Sequence, residues 1–275
     1  VKLISLSPTS IGVYRCVLGA LFLLSLSYLP RLDQEKISSR VLPNKKALAL
    51  QWLGAVFFSA DLYFWHRSVV YSGAGLATVL ANTQVFYVAL LGVFFFGERP
   101  RFLFWLSLPL ALLGVFLLSD FQEVTTRSDQ YWLGILFGLL TGIVYAGFLL
   151  CLRSLEKIQG PAQPSHLFWV SLFSGLILLL ISFFERSFVL PKGVDWIWLL
   201  LLGLVVQGMG WTFISKALPR LGMRKGGLML LLQPSLATAL GAWIFQERLN
   251  TYQLAGLGMT LLAIYLGMIA RERAQ

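Results

Sequence analysis

Residues 94–102 read FFFGERPRF and residues 245–252 read FQERLNTY, two short charged corners between long apolar runs. Moving residues 67–117 along the chain by 149 places Arg67 on Lys216, Gly73 on Gly222, Gln84 on Gln233, Gly92 on Gly241 and Phe96 on Phe245. The corner itself superposes as well, Glu98 on Glu247 and Arg99 on Arg248, and Leu108, Leu112, Leu113 and Leu117 then fall on Leu257, Leu261, Leu262 and Leu266. No gap is needed. A weaker match at an offset of 156 puts Pro8 on Pro164, Gly19 on Gly175 and Leu23-Leu24 on Leu179-Leu180. Self-similarity of this kind marks an internal duplication.

The composition says what has been duplicated. The chain has 275 residues, is 57% hydrophobic and 12% charged, and has a mean hydropathy of +0.77, which leaves too few charges to clothe a soluble domain. Its apolar runs reach the roughly 20 residues that cross about 30 Å of hydrocarbon. Nine spans are expected, at 8–29, 47–69, 77–96, 102–119, 131–152, 165–184, 194–215, 226–245 and 251–270. All should be helices, because a helix satisfies its own backbone in lipid and runs such as LFGLLTGIVYAGFLLCL lack the alternation of a barrel strand.

Five of these spans lie between Glu98 and Glu247, an odd number, so the two corners face opposite sides and the repeats are inverted. The expected fold class is an all-α polytopic membrane protein with a first repeat over 1–119 and a second over 120–275. Inverted repeats are the architecture of secondary transporters, with a substrate site near the midplane between halves and alternating access. The second copy has five spans and the first only four, lacking a counterpart of 131–152, which predicts a further helix before Val1 and ten in the natural protein.

Fifteen of the 22 Lys and Arg lie in the loops 30–46, 97–101, 153–164, 216–225 and 271–275, six lie on the opposite side, and Arg15 lies within a span. The positive-inside rule then makes the C-terminus cytoplasmic. The net charge of +10 is mostly this bias, spread over loops without a patch, so nucleic acid is not an expected partner. Cys16 and Cys151 sit in apolar spans and read as buried packing residues. No metal motif, nucleophile elbow or phosphate-binding glycine loop is present, and no cofactor is expected.

The GERP corner at 97–100, its QERL counterpart at 246–249, the tract DLYFWHRSVVYSGAGLATVLANTQVF at 61–86 and the tract ALPRLGMRKGGLMLLLQPSLATALG at 217–241 resemble the drug/metabolite transporter superfamily, EamA type. The resemblance covers essentially the whole chain. It departs where the first helix is absent and where Gln246 stands in place of the family's usual Gly. It implies a permease of the inner membrane, many such proteins exporting amino acids or related metabolites, with a central cavity lined by the helices that correspond to 47–69, 77–96, 194–215 and 226–245.

The residues point to the same four spans. Asn82, Gln84, Gln207 and Gln233 are amides at depths where an unpaired polar group is costly, so they are candidate substrate contacts or, alternatively, interhelical glue. Pro234 removes a backbone donor beside Gln233 and is expected to free a carbonyl. Tyr63, Trp65, Tyr87, Trp169 and Trp211 are candidates for stacking on a substrate, with packing as the alternative, whereas Trp52, Trp105, Trp132, Trp196 and Trp198 read as interface anchors. Gly134, Gly138 and Gly142 form a ladder for close helix packing. Arg15 and Asp61 fall roughly 10 to 12 Å deep on the same side. They are expected to pair, either as a staple or, with His66 nearer the mouth, in gating or coupling. Glu98 is expected to face the N-terminus of the helix that Pro100 starts, and Arg99 to reach lipid phosphate. The function expected is secondary transport of a small neutral or zwitterionic solute across the lipid bilayer, the alternative being a channel or membrane-embedded enzyme on the same scaffold.

Overall fold

The computed structural model describes residues 6–28, 45–118, 130–159, 164–244 and 250–269. The second charged corner, with Gln246, Glu247 and Arg248, lies outside the described residues, as do most of the loop 30–46 and the charges of 271–275. Among the described residues there is no strand. The helices are α1 (Pro8–Tyr28), α2 (Lys45–Ser72), α3 (Ala74–Asn82), α4 (Gln84–Phe96), α5 (Phe102–Leu118), α6 (Tyr131–Gln159) and α7 (Pro164–Phe184). After these come α8 (Asp195–Leu201), a π-helix over Leu202–Gly210, α9 (Trp211–Met229), α10 (Leu232–Ile244) and α11 (Thr251–Ile269). Among the described residues, seven helical stretches are long and apolar enough to cross a bilayer, and α5 is a shorter apolar helix. Among the described residues, every expected span is helical over most of its length.

The duplication is written in the backbone. α1 and α7 are both 21 residues long and open on Pro8 and Pro164, the prolines that the 156-residue offset aligned. Proline suits the first helical turn because its missing N–H has no intrahelical partner there. Gly73 and Gly222, aligned at the other offset, have φ 85, ψ 154 and φ 78, ψ 166, a region open essentially to glycine alone. Each turns one helix into a short one, residues 74–82 after Gly73 and 223–229 after Gly222. Each short helix then breaks, at Thr83 and at Leu230–Leu231, before a helix of 13 residues, α4 or α10. The expected spans 77–96 and 226–245 are therefore each interrupted, which their mean hydropathy did not show.

The chain forms two compact units, one of Val1–Tyr63 and Gly147–Arg220, the other of Phe64–Ala146 and Leu221–Gln275. Each takes segments from both sequence copies. In the first unit α1 packs along α7 and along the π-helix. Small residues set these approaches: a Cβ on Gly175 would lie 3.0 Å from Val17 Cγ2, and one on Gly203 would lie 2.6 Å from Leu18 Cβ. The connection after α7 is tied to the start of α1, where Ser7 Oγ and Ser10 Oγ donate to the Ser187 carbonyl at 2.7 and 2.9 Å.

In the second unit α5 packs along α11, the last helices of the two copies. A Cβ on Gly256 would lie 2.7 Å from the Gly114 carbonyl oxygen, so the backbones almost touch. The apolar core of this unit includes Val85 and Ala89 of α4, Phe104, Leu108 and Ala111 of α5, Leu228, and Ala263 of α11. The glycine ladder of α6 packs here as its spacing predicts. A Cβ on Gly134 would lie 2.9 Å from the Ser72 nitrogen, one on Gly138 2.7 Å from Leu80 Cβ, and one on Gly142 2.7 Å from Thr83 Oγ1. The α3–α4 break thus rests on the last rung of the ladder.

Candidate functional site

In the second unit the site features are the two interruptions and the amides beyond them. At each break the α-helical bonds give way to shorter ones: Thr83 N–H donates to Leu80 O and Phe86 N–H to Thr83 O, while Leu231 N–H donates to Leu228 O and Gln233 N–H to Leu230 O. Such i→i−3 bonds tighten the turn and change which carbonyls are served. Gln84 is the first residue of α4 and is buried, and Gln233 is the second residue of α10, exposed and followed by Pro234. Asn82 ends α3, buried, with Nδ2 donating to the Thr78 carbonyl at 2.7 Å. Tyr87 lies half-buried one turn into α4, and Trp65, in the part of α2 that belongs to this unit, tilts against the buried His66 at 5.2 Å between ring centroids.

The start of the second short helix is held by the first corner. Glu98 Oε1 accepts the Met223 N–H at 2.8 Å and Oε2 accepts the Arg224 N–H at 3.0 Å, with Arg224 Nε 3.8 Å from Oε2. These are orphan amides of a helix N-terminus, where the helix dipole also favours a negative charge. Local sequence pointed Glu98 to the helix that Pro100 precedes. The Glu98 carboxylate serves one more than a hundred residues away, because Gly222 turns that helix start toward it. Arg224, counted with the loop charges, is 1% exposed and stacks 4.9 Å over the Phe104 ring.

In the first unit a polar chain crosses apolar surroundings. Ser171 Oγ accepts Gln207 Nε2–H at 3.0 Å, and Gln207 Oε1 accepts Arg15 Nε–H at 3.1 Å. Asp61, buried in α2, lies in the field of the Arg15 charge. Arg15 also sits 5.9 Å from the Phe58 ring centroid, and Phe58, Phe148 and Trp211 pack mutually at 4.8 to 5.4 Å. Gln207 reaches this place because it stands on the π-helix and α1 leaves room, a Cβ on Gly19 falling 2.7 Å from Gln207 Cβ. π-Helical turns concentrate at functional positions. Trp169 belongs to a second aromatic group, 5.4 Å from Phe173, on which Trp52 stacks at 4.1 Å. Tyr63 is half-buried on α2, the last residue of its segment in this unit.

The structure thus gathers Arg15, Asp61, Gln207 and Trp211 in one unit and Asn82, Gln84, Gln233, Tyr87, Trp65 and His66 in the other. Sequence reasoning missed Ser171, Phe58, Phe148 and the Glu98–Arg224 contact. The first three are ordinary residues inside apolar runs and carry no signal, whereas the repeated corner did mark Glu98.

An all-helical bilayer protein with two inverted copies, each carrying a broken helix with an amide at its reopening, has the architecture of a secondary transporter. The chain belongs to the EamA-like transporter family, whose pattern matches residues 1–120 and 132–269. It is 26% identical over 264 residues to the uncharacterized transporter YwfM of Bacillus subtilis, covering 94% of this chain and 84% of that one. It is 24% identical over 208 residues to an Escherichia coli protein named "Probable amino-acid metabolite efflux pump", covering 71% of this chain and 67% of that one. The pseudopaline exporter CntI of Pseudomonas aeruginosa is 28% identical over 143 residues, 51% of this chain and 47% of its own. A solved crystal structure shares the fold with a TM-score of 0.77 over 97% of this chain and 90% of its own, at 14% identity.

Proposed function

We propose that the protein is a secondary transporter, not a channel or a membrane-embedded enzyme. It moves a small neutral or zwitterionic metabolite, such as an amino acid, out of the cell across the inner membrane by alternating access, with its C-terminus in the cytoplasm. The observation that carries this reading is the duplicated interruption at Gly73–Thr83 and Gly222–Leu231, with Gln84 and Gln233 just beyond. Irregular backbone at such depth is tolerated where it is buried in protein or lines a cavity, and in transporters it lies at the substrate. The amides Asn82, Gln84 and Gln233 with Tyr87 and Trp65 supply polar and stacking contacts in one unit. Gln207, Trp211, Trp169 and Tyr63 supply them in the other. Arg15, Asp61 and His66 act in gating or coupling. Few fixed charges among these groups favour a solute without net charge, whereas a phosphorylated one needs a clamp of Arg or Lys.

The test is flux of labelled amino acids into proteoliposomes, with and without a pH gradient. Saturable uptake of a neutral amino acid, with KM raised or Vmax lowered at least about tenfold by Gln84→Leu with Gln233→Leu, is the expected result. Efficient saturable transport of a sugar phosphate would refute the substrate class, and electrical currents far above carrier turnover would make the protein a channel.

A further inference from the structure

The first unit places two opposite charges, Arg15 of α1 and Asp61 of α2, inside apolar spans. Ionisable groups are costly there, and replacing a buried pair by well-packed apolar residues is often neutral or stabilising. Holding two helices together therefore does not by itself account for the pair.

Helix contacts set the two charges side by side. A Cβ on Gly12 of α1 would lie 3.9 Å from Leu62 Cδ1 of α2. One turn further along α1, the guanidinium carbon of Arg15 stands 5.9 Å from the ring centroid of Phe58, which lies one turn back along α2. Asp61 falls between Phe58 and Leu62 in sequence, on the flank of that line of contact, and the Arg15 charge acts on its carboxylate. Asp61 is 8% exposed, and Arg15 is half-buried.

The guanidinium is oriented from its Nε side. Gln207 Oε1 accepts the Nε–H at 3.1 Å, and Gln207 is fixed in turn by its Nε2–H donating to Ser171 Oγ at 3.0 Å. Both positioning residues are buried, one on the π-helix and one on α7. A guanidinium is a planar fork of N–H donors that matches a carboxylate with two parallel bonds. Anchoring Nε lets the protein, not the solute, set the direction of the Nη1–Nη2 edge. Phe58 continues into the mutually packed Phe148 and Trp211, an apolar wall in which charge is poorly screened.

In such surroundings a solute that brings one charge leaves a member of the pair unmatched. A solute that brings both, with its carboxylate close to its ammonium, exchanges one ion pair for two and leaves the net charge unchanged. We propose that Arg15 and Asp61 form a zwitterion-binding site within the first unit, Arg15 taking the carboxylate of an α-amino acid and Asp61 its ammonium group. Gln207 and Ser171 position the guanidinium for that contact. The inference rests on the transport reading above and gives the pair a part in choosing the solute.

The experiment measures counterflow of labelled neutral amino acids in proteoliposomes of the whole protein. The best-carried one is then competed with its unlabelled form, its carboxamide, its decarboxylated amine and its deaminated acid. The amino acid should inhibit at the lowest concentration, and each analogue, lacking one of the two charges, should need at least about tenfold more. Arg15→Gln with Asp61→Asn keeps the net charge and nearly the shape. In that double variant the preference for the amino acid should shrink to within about twofold, a ratio that a staple between helices does not set. Any of the three analogues inhibiting wild type as well as the amino acid does would overturn the proposal without recourse to a variant. So would a double variant that keeps the wild-type preference. If wild type shows no counterflow for any amino acid, the transport reading itself fails and the proposal falls with it.

Discussion

Glu98→Gln tests how the second interrupted helix is held. The substitution keeps the shape and removes the charge. In the wild type, two carboxylate oxygens accept two backbone N–H groups at 2.8 and 3.0 Å and face the guanidinium of Arg224, which is 1% exposed. A glutamine offers one acceptor, and its NH2 group meets the other amide donor to donor. Losing a hydrogen bond to a charged acceptor costs about 1.5–3 kcal/mol, and removing one partner of a buried ion pair costs about 3–5 kcal/mol. Both losses pass largely through Oε2 and do not add, so about 3–5 kcal/mol is expected in all. At a few degrees per kcal/mol, the melting temperature in detergent should fall on the order of 10 °C. The assay is thermal unfolding of the purified protein, with Glu98→Ala as the full loss and the exposed Arg99→Gln as the neighbour that should not matter. If Glu98→Gln melts with wild type while Glu98→Ala does not, the side chain fills space and the capping argument is wrong.

The other expectations follow the same geometry. Gly92→Ala should mimic Glu98→Gln in a melt, because its Cβ would lie 2.7 Å from Glu98 Oε2. Gly73→Ala and Gly222→Ala should each cost about 1–3 kcal/mol, read as lowered melting temperature, since alanine is strained at φ 85 and φ 78. Gly142→Val should lower transport more than Gly134→Ala, because it pushes on Thr83 at the break, whereas the rung at Gly134 bears on Ser72. Asp61→Arg should prevent stable expression, and combining it with Arg15→Asp should restore at least part of the melting temperature. Two silent single variants would separate Arg15 from Asp61.

The duplication was legible because aligned residues survive at fixed offsets, and the helix starts at Pro8 and Pro164 repeat that spacing in three dimensions. The breaks were not. Hydropathy averages over side chains, so residues 77–96 still read as one span despite the polar run Asn82-Thr83-Gln84, while the interruption lies in backbone bonds that shift from one carbonyl to the next. Only Pro234 hinted at it. The π-helix is hidden for the same reason, since LGLVVQGMG reads as ordinary membrane helix and the extra residue per turn that carries Gln207 to Arg15 leaves no mark in composition. Glu98 misled because its nearest helix start is local, whereas its actual partners are close only in the folded chain.

The contact of Glu98 with Met223 and Arg224 joins residues from different copies. A chain of half this length would carry the acidic corner and the bare helix start, yet could not bring its own together. It would have to find a second molecule threaded through the bilayer in the opposite direction, at whatever density the membrane offered. Joining the copies on one strand replaces that search with a tethered encounter of high effective concentration. It also guarantees one partner of each orientation, which a single gene product inserted by its loop charges cannot do unless those charges are nearly balanced. Once joined, the copies are free to diverge, and the strong loop-charge bias of this chain is a bias that only a fused pair can carry.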